Sequence, residues 1–212
     1  MQSATGFIIQ IAILIFSVVI HEVSHGLAAY ALGDSTAKYA GRLTLNPFKH
    51  LDPIGSVLVP IVSYLFGGLI FGWALPVPYN PYNLRNQKFG PAIVGAAGPL
   101  SNLFLATVFG VLLRSLGAFA SSEWFATLAN FQGILSYIVL INLVLAVFNF
   151  VPIPPLDGSK VLFAVLSYRY QHIQSWLEQY GLVLFFLFIV FFSQAIFPVV
   201  RLLFRLATGA YL

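Results

Sequence analysis

Five long apolar runs dominate the chain, at residues 7–32, 54–75, 91–113, 132–151 and 177–200. About 20 apolar residues cross the hydrocarbon core of a bilayer as a helix, so each run is long enough to be a candidate span. Only 8% of the 212 residues are charged, against about 25% in an ordinary soluble domain. Such a chain cannot dress a water-facing surface. It is predicted to be an all-α polytopic membrane protein, and residues 1–212 read as one membrane-embedded unit without soluble domain, repeat or low-complexity tract. The first run has no basic stretch before it and no small-residue cleavage pattern after it, so it is expected to be a retained transmembrane helix.

Ten Lys and Arg stand against six Asp and Glu. With so few charges, that excess is a topology signal rather than affinity for nucleic acid, and no interleaved basic and aromatic surface is present. The chain contains no cysteine, which excludes disulfides, thiolate metal ligands and cysteine nucleophiles.

The chemistry begins inside the first run. His21-Glu22-Val23-Ser24-His25 fits H-E-x-x-H, a match expected by chance in roughly one shuffled sequence in a thousand of this composition. Residues four apart share one helical face, so both imidazoles can reach one ion, with Glu22 beside them to take a proton from water. Ionisable groups within a membrane run are functional by default, and three at metal-site spacing strengthen that reading over plain interhelical hydrogen bonding. Zinc suits imidazole and carboxylate donors, but a catalytic site needs a third protein ligand.

Among six acids the search is short. Asp34 and Asp52 fall in a polar loop, Glu123 falls in another loop, and Glu178 opens the last run. Asp157 lies in "NFVPIPPLDG", where prolines end the fourth run and Gly158 permits an unusual turn. Irregular backbone near a membrane is tolerated where it is buried in protein or lines a cavity, which suits an inward-facing carboxylate. Asp157 is therefore the expected third ligand.

That assignment constrains topology. His25 and Asp157 each lie near the C-terminal end of a run, and they meet only if an even number of crossings separates them. One intervening run must then fail to cross. The run 54–75, interrupted by Pro60, Gly67 and Gly68, is expected to be re-entrant. Lys38, Arg42, Lys49, Arg85, Lys88, Lys160 and Arg169 then share one side and Arg114 sits opposite, as the positive-inside rule favours for a cytoplasm-facing site. "RLTL" and "WALPVPYN" have extended character and are expected to form a small β element at the membrane face, the second as an edge strand because of its prolines. That edge is also expected to hold an unwound substrate by β-addition.

"GAAGPLSN" opens the third run, with Gly95, Gly98, Ser101 and Asn102 at spacings that permit close helix approach. Asn102 either donates to a tetrahedral intermediate or makes an interhelical hydrogen bond. Asn142 reads as an interhelical residue. Asn149, just before the proline break, either positions it or binds substrate backbone. His50 and His172 read as ordinary interfacial residues, "LVLFFLFIVFF" as lipid-facing packing, and Arg201 and Arg205 as snorkelling cations on an amphipathic end.

Taken together, "HEVSHG", "AAGPLSN" and "NLVLAVFNFVPIPPLDGSKVL" resemble the three core helices of the site-2 protease family of intramembrane zinc metalloproteases. "GRLTLNPFKHLDPIGS" and "FGWALPVPYNP" resemble its compact bacterial branch, which lacks PDZ and CBS domains. The resemblance covers about residues 8–168, with a C-terminal helical segment at 177–207 outside it. It implies three transmembrane helices around one zinc ion per chain, held by His21, His25 and Asp157, with Glu22 as catalytic base and Asn102 as a polar group near the active site. The implied partners are the lipid bilayer and a transmembrane protein or peptide substrate. The implied location is a bacterial inner membrane with the site toward the cytoplasm. A metal transporter using the same ligands, or an inert scaffold, are the alternative readings. The sequence assigns no oligomeric state.

Overall fold

A computed structural model describes residues 4–52, 55, 75–117 and 125–210. Seven α-helices are found among them: α1 (Ala4–Ala31), the single turn α2 (Thr36–Tyr39), α3 (Gly90–Gly117), α4 (Phe125–Asn149), α5 (Gly158–Val165), α6 (Gln171–Leu187) and α7 (Ile196–Thr208). Four stretches are long and apolar enough to cross a membrane: Thr5–Ala31, Gly90–Leu116, Phe131–Asn149 and Gln171–Phe192. The protein is an all-α, multi-pass membrane protein, as its composition requires.

Cross-helix hydrogen bonds fix the order of the bundle. Moving back along α1 from His25 to His21 to Ser17, the partners in α3 advance from Val94 to Asn102, so α1 and α3 are antiparallel. Asn142 of α4 meets Ser17, and Asp157 beyond α4 meets His21 and His25, so α4 runs parallel to α1. The C-terminal ends of α1 and α4 and the N-terminal end of α3 therefore gather at one end of the bundle. Small residues let α3 approach its neighbours closely. A Cβ at Gly95 would come within 3.0 Å of Lys160, and one at Gly110 within 2.8 Å of Ala207 in α7.

The last apolar run, read at 177–200, is not one continuous α-helix. α6 starts earlier, at Gln171, passes through a π turn at Phe188–Phe192 and a 3-10 turn at Ser193–Ala195, and gives way to α7. Ile196, Val200, Phe204 and Thr208, each four apart, form the buried face of α7. The first three pack with Ala106, Val139 and Leu143 of α3 and α4. Arg201 and Arg205 stay exposed, as expected for cations on the far face of an amphipathic helix.

The expected β element is absent among the described residues. Residues 42–45 and 75–80 are irregular, with 73 and 74 outside the described residues. Pro76 and Pro78 contribute no donor, and Arg42 Nη2 donates to the carbonyl oxygens of Leu75 and Pro76 instead of a neighbouring strand doing so. The run 54–75, expected to be re-entrant, lies almost wholly outside the described residues. Its flanks do meet: Leu75 N–H donates to the His50 carbonyl at 2.8 Å. His50 itself, read as an ordinary interfacial residue, is only 1% exposed, and its Nε2 donates to Thr44 O.

A buried carboxylate ties the next loop to the end of α1. Gly33, at φ +108°, takes the left-handed conformation that lets the helix stop and turn. Asp34 follows, wholly buried. One of its oxygens accepts from Thr36 N–H, Thr36 Oγ1 and Asn83 Nδ2, and the other from Asn80 N–H at 2.7 Å. Burial works against its ionisation, but the hydrogen bonds from Thr36, Asn83 and Asn80 outweigh it and hold the carboxyl below its usual range. A depressed carboxylate pKa stabilises the fold above the unfolded value and ceases to do so as pH falls through the folded one. Asp34→Ala is expected to lower stability by about 2 kcal/mol near neutral pH. The difference from wild type should shrink below about pH 4. Thermal unfolding in detergent across that range checks both, and a pH-independent difference would refute the ionised clamp.

Candidate metal centre

H-E-x-x-H ends about two turns before the C-terminal end of α1, and the helix does what the spacing requires. His21 and His25 present their Nε2 atoms 3.0 Å apart. The proline-rich break after α4 brings Asp157 Oδ2 to 3.1 Å from each. All three residues are buried, and this is the one such cluster of potential metal ligands among the described residues.

The surrounding hydrogen bonds decide what these atoms can offer. His25 Nδ1 lies 2.6 Å from the Val94 carbonyl oxygen, which can only accept, so Nδ1 carries the hydrogen. His21 Nδ1 donates in the same way to Asn102 Oδ1 at 2.6 Å. In the neutral form that metal binding requires, both imidazoles therefore turn a bare Nε2 lone pair toward the same point as a carboxylate oxygen. Two donors each about 2.0–2.1 Å from one tetrahedral zinc ion lie about 3.3 Å apart, close to the spacing observed. The nitrogen, nitrogen and oxygen donor set fits zinc.

Two further features shape the site. Gly98 of α3 forms its floor: a Cβ there would lie 2.6 Å from His21 Nε2 and closer still to His25 Nε2. Lys160, one turn after Asp157, donates from Nζ to Asp157 Oδ1 at 2.9 Å, which leaves Oδ2 facing the histidines. Burial opposes ionisation of Asp157, and the Lys160 ammonium beside it favours the carboxylate. Burial also works against the Lys160 charge, and Asp157 beside it more than offsets this, raising the ammonium pKa.

A small cleft of about 170 Å³ opens onto His21, Glu22, His25, Asp157 and Lys160, with Asn149 also at its edge. Glu22 is half-buried, and its Oε2 accepts the Val77 N–H at 2.9 Å. Residues 73–80 are expected to form an edge that holds substrate by β-addition, but few donors remain in the described part, 75–80. Leu75 N–H goes to His50, Val77 N–H to Glu22 and Asn80 N–H to Asp34. Pro76 and Pro78 have none.

Of the predicted site residues, His21, Glu22, His25 and Asp157 come together in the cleft. Asn102 does not line it. Its oxygen is behind His21, and its amide donates to Asn142 Oδ1 and Ser17 O. Both amide hydrogens are engaged in these bonds, and this geometry supports the interhelical reading of Asn102. Asn149 donates from Nδ2 to Leu145 O. In the sequence Lys160 stands out only as a topology charge, although its i+3 spacing from Asp157 at a helix start is a usable signal. The Val77 N–H had no signal in the sequence, being a backbone group 55 residues from Glu22.

Three potential metal donors gathered between helices of membrane-crossing length define the chain as a membrane protein with a candidate metal centre. The comparisons narrow this. The model of Peptidase family M50 matches residues 116–192. The chain is 37% identical over 177 residues to "Putative zinc metalloprotease YwhC" of Bacillus subtilis, covering 84% of this chain and 78% of that one. It is 30% identical to "Putative zinc metalloprotease Rip2" of Mycolicibacterium smegmatis (84% and 65% covered) and 28% identical to the Mycobacterium tuberculosis protein of that name (95% and 74%). No solved structure matches the chain. The chain belongs to Peptidase family M50, the site-2 protease family, and is a multi-pass membrane zinc metalloprotease.

The floor of the site gives a direct test of the metal geometry. Gly98→Ala should leave helical content unchanged, because alanine favours a helix more than glycine does. Zinc affinity, measured by chelator competition on purified protein, should fall at least about ten-fold, as a methyl group would stand among the donor atoms.

Proposed function

We propose that the protein cleaves peptide bonds within or beside transmembrane segments of membrane proteins, using His21, His25 and Asp157 to hold zinc and Glu22 as the base. The observation that carries this is the convergence of two bare imidazole nitrogens and one carboxylate oxygen in a cleft that Glu22 shares. When bound, zinc lowers the pKa of water and polarises a carbonyl.

The remaining work falls to the chain's own groups. Glu22 accepts the proton of the attacking water and returns it to the leaving amine as the peptide bond breaks. The Val77 N–H holds Glu22 Oε2 and leaves Oε1 for that proton. Lys160 keeps Asp157 ionised and turned toward the histidines. A substrate helix has to unwind to enter, because helical carbonyls are hydrogen-bonded and shielded. Clearance of membrane peptides and regulated intramembrane proteolysis both fit this chemistry.

We assign the site to the cytoplasmic side of a bacterial inner membrane. Support comes from the charges: Lys38, Arg42, Lys49, Arg85, Lys88 and Lys160 belong to segments at the end of the bundle holding the site, and Arg114 is in the last turn of α3, at the other end. Metal transport is not favoured: the chain's family is a peptidase family, and a carboxylate beside the ligands is the requirement of hydrolysis.

Glu22→Gln is expected to lower cleavage by roughly 10²–10⁴-fold with zinc content unchanged. Comparing membrane peptides that accumulate in cells carrying wild-type or Glu22→Gln protein would identify substrates. Full activity in the variant would remove Glu22 from the mechanism.

A further inference from the structure

A second asparagine, remote from the cleft, sets the orientation of one proposed zinc ligand. Asn142 of α4 is wholly buried, as is Asn102 of α3, and Ser17 and His21 of α1 are nearly so. Asn142 Nδ2 donates to the Ile138 carbonyl at 2.8 Å and to Ser17 Oγ at 2.9 Å. Its Oδ1 accepts from Asn102 Nδ2 at 2.8 Å. Asn102 Nδ2 also reaches the Ser17 carbonyl at 3.3 Å, and Asn102 Oδ1 faces His21 Nδ1 at 2.6 Å.

An isolated amide can be turned over at little cost, exchanging donor for acceptor. Here it cannot. The carbonyls of Ile138 and Ser17 only accept, so each forces an NH₂ group toward itself. Turning Asn142 over would set its oxygen against the Ile138 carbonyl and its NH₂ against that of Asn102. Turning Asn102 over would set its oxygen against Asn142 Oδ1 and the Ser17 carbonyl. All four amide hydrogens are used, and the direction of donation runs one way: His21 to Asn102 to Asn142 to the backbone of α4. Its outcome is a hydrogen on His21 Nδ1 and a bare Nε2. His25 obtains the same state directly from the Val94 carbonyl.

We propose that Asn142 is a positioning residue for the metal centre: through Asn102 it fixes the tautomer and ring orientation of His21. This inference rests on the zinc-site reading given above. Partners of this kind are typically worth 10–100-fold in metal affinity. The alternative is that Asn142 only joins α1, α3 and α4 as an interhelical hydrogen-bonding group.

The test is a double-mutant cycle on purified protein, with zinc affinity read by chelator competition. Asn142→Leu and Asn102→Leu should each weaken zinc by roughly 10–100-fold. The double variant should bind no more than about two-fold worse than Asn102→Leu, since both act on one ring. Unchanged affinity in Asn142→Leu, or effects that multiply, would overturn the relay. Asn142→Asp keeps the oxygen that accepts from Asn102 and loses the donors to Ile138 and Ser17. It should lower thermal stability while holding zinc affinity within about three-fold of wild type. Affinity falling as far as in Asn142→Leu would again overturn it.

Nitrogen-15 spectra of histidine-labelled, metal-free protein give a readout independent of zinc. His21 should carry its hydrogen on Nδ1 in the wild type and exchange between nitrogens in Asn142→Leu. An unchanged His21 signal in that variant refutes the relay. Wild-type protein that shows the relay and binds no zinc would instead refute the zinc reading.

Discussion

Three electron-rich atoms, two imidazole nitrogens and a carboxylate oxygen, stand 3.0–3.1 Å apart inside an apolar bundle. Left to themselves they repel, and each has been stripped of the water that would screen it. A shared cation turns this arrangement from costly to favourable, and much of the surrounding chain holds the three atoms in place. The Val94 carbonyl and the Asn102 amide take up the hydrogens that would otherwise point inward. Gly98 omits the side chain that would fill the centre, and Lys160 occupies the second carboxylate oxygen.

The topology follows from the same requirement. An H-E-x-x-H at the end of one helix and an aspartate just past the end of another meet only if those ends lie together. α1 and α4 run parallel, with α3 antiparallel between their polar positions. The hydrogen bond between His50 and Leu75 brings the flanks of the second apolar run to one place. Asp34 then fastens residues 80–83 to the end of α1, and the same segment carries Val77 to Glu22. The proposed base is thus coupled to a loop that the buried Asp34 anchors.

Much of this was legible in one dimension. Four-residue spacing on a helix is a local property, so His21 and His25 could be paired without knowing any neighbour. Asp157 was reachable because acids are scarce and a proline-broken helix end has few reasons to keep one. Extended character in "RLTL" and "WALPVPYN" misled, because strand propensity counts only if a partner supplies the ladder. Pro76 and Pro78 withhold donors, and Arg42 satisfies the neighbouring carbonyls instead. His50 also escaped, since a histidine in a polar loop gives no sign that the loop folds over it.

The sequence by itself determined the membrane class, the helical bundle, the histidine pair and the identity of the third candidate ligand. Those depend on composition and on periodicity within single segments. The tertiary structure decided what each polar side chain faces. Asn102 shares a helix face with Gly98 one turn deeper, yet whether it meets the cleft or the rear of His21 depends on how α1, α3 and α4 pack. Hydrogen-bond direction along Asn142, Asn102 and His21 is set by two backbone carbonyls, and such direction is a property of three helices held together, with no counterpart in the order of residues along one.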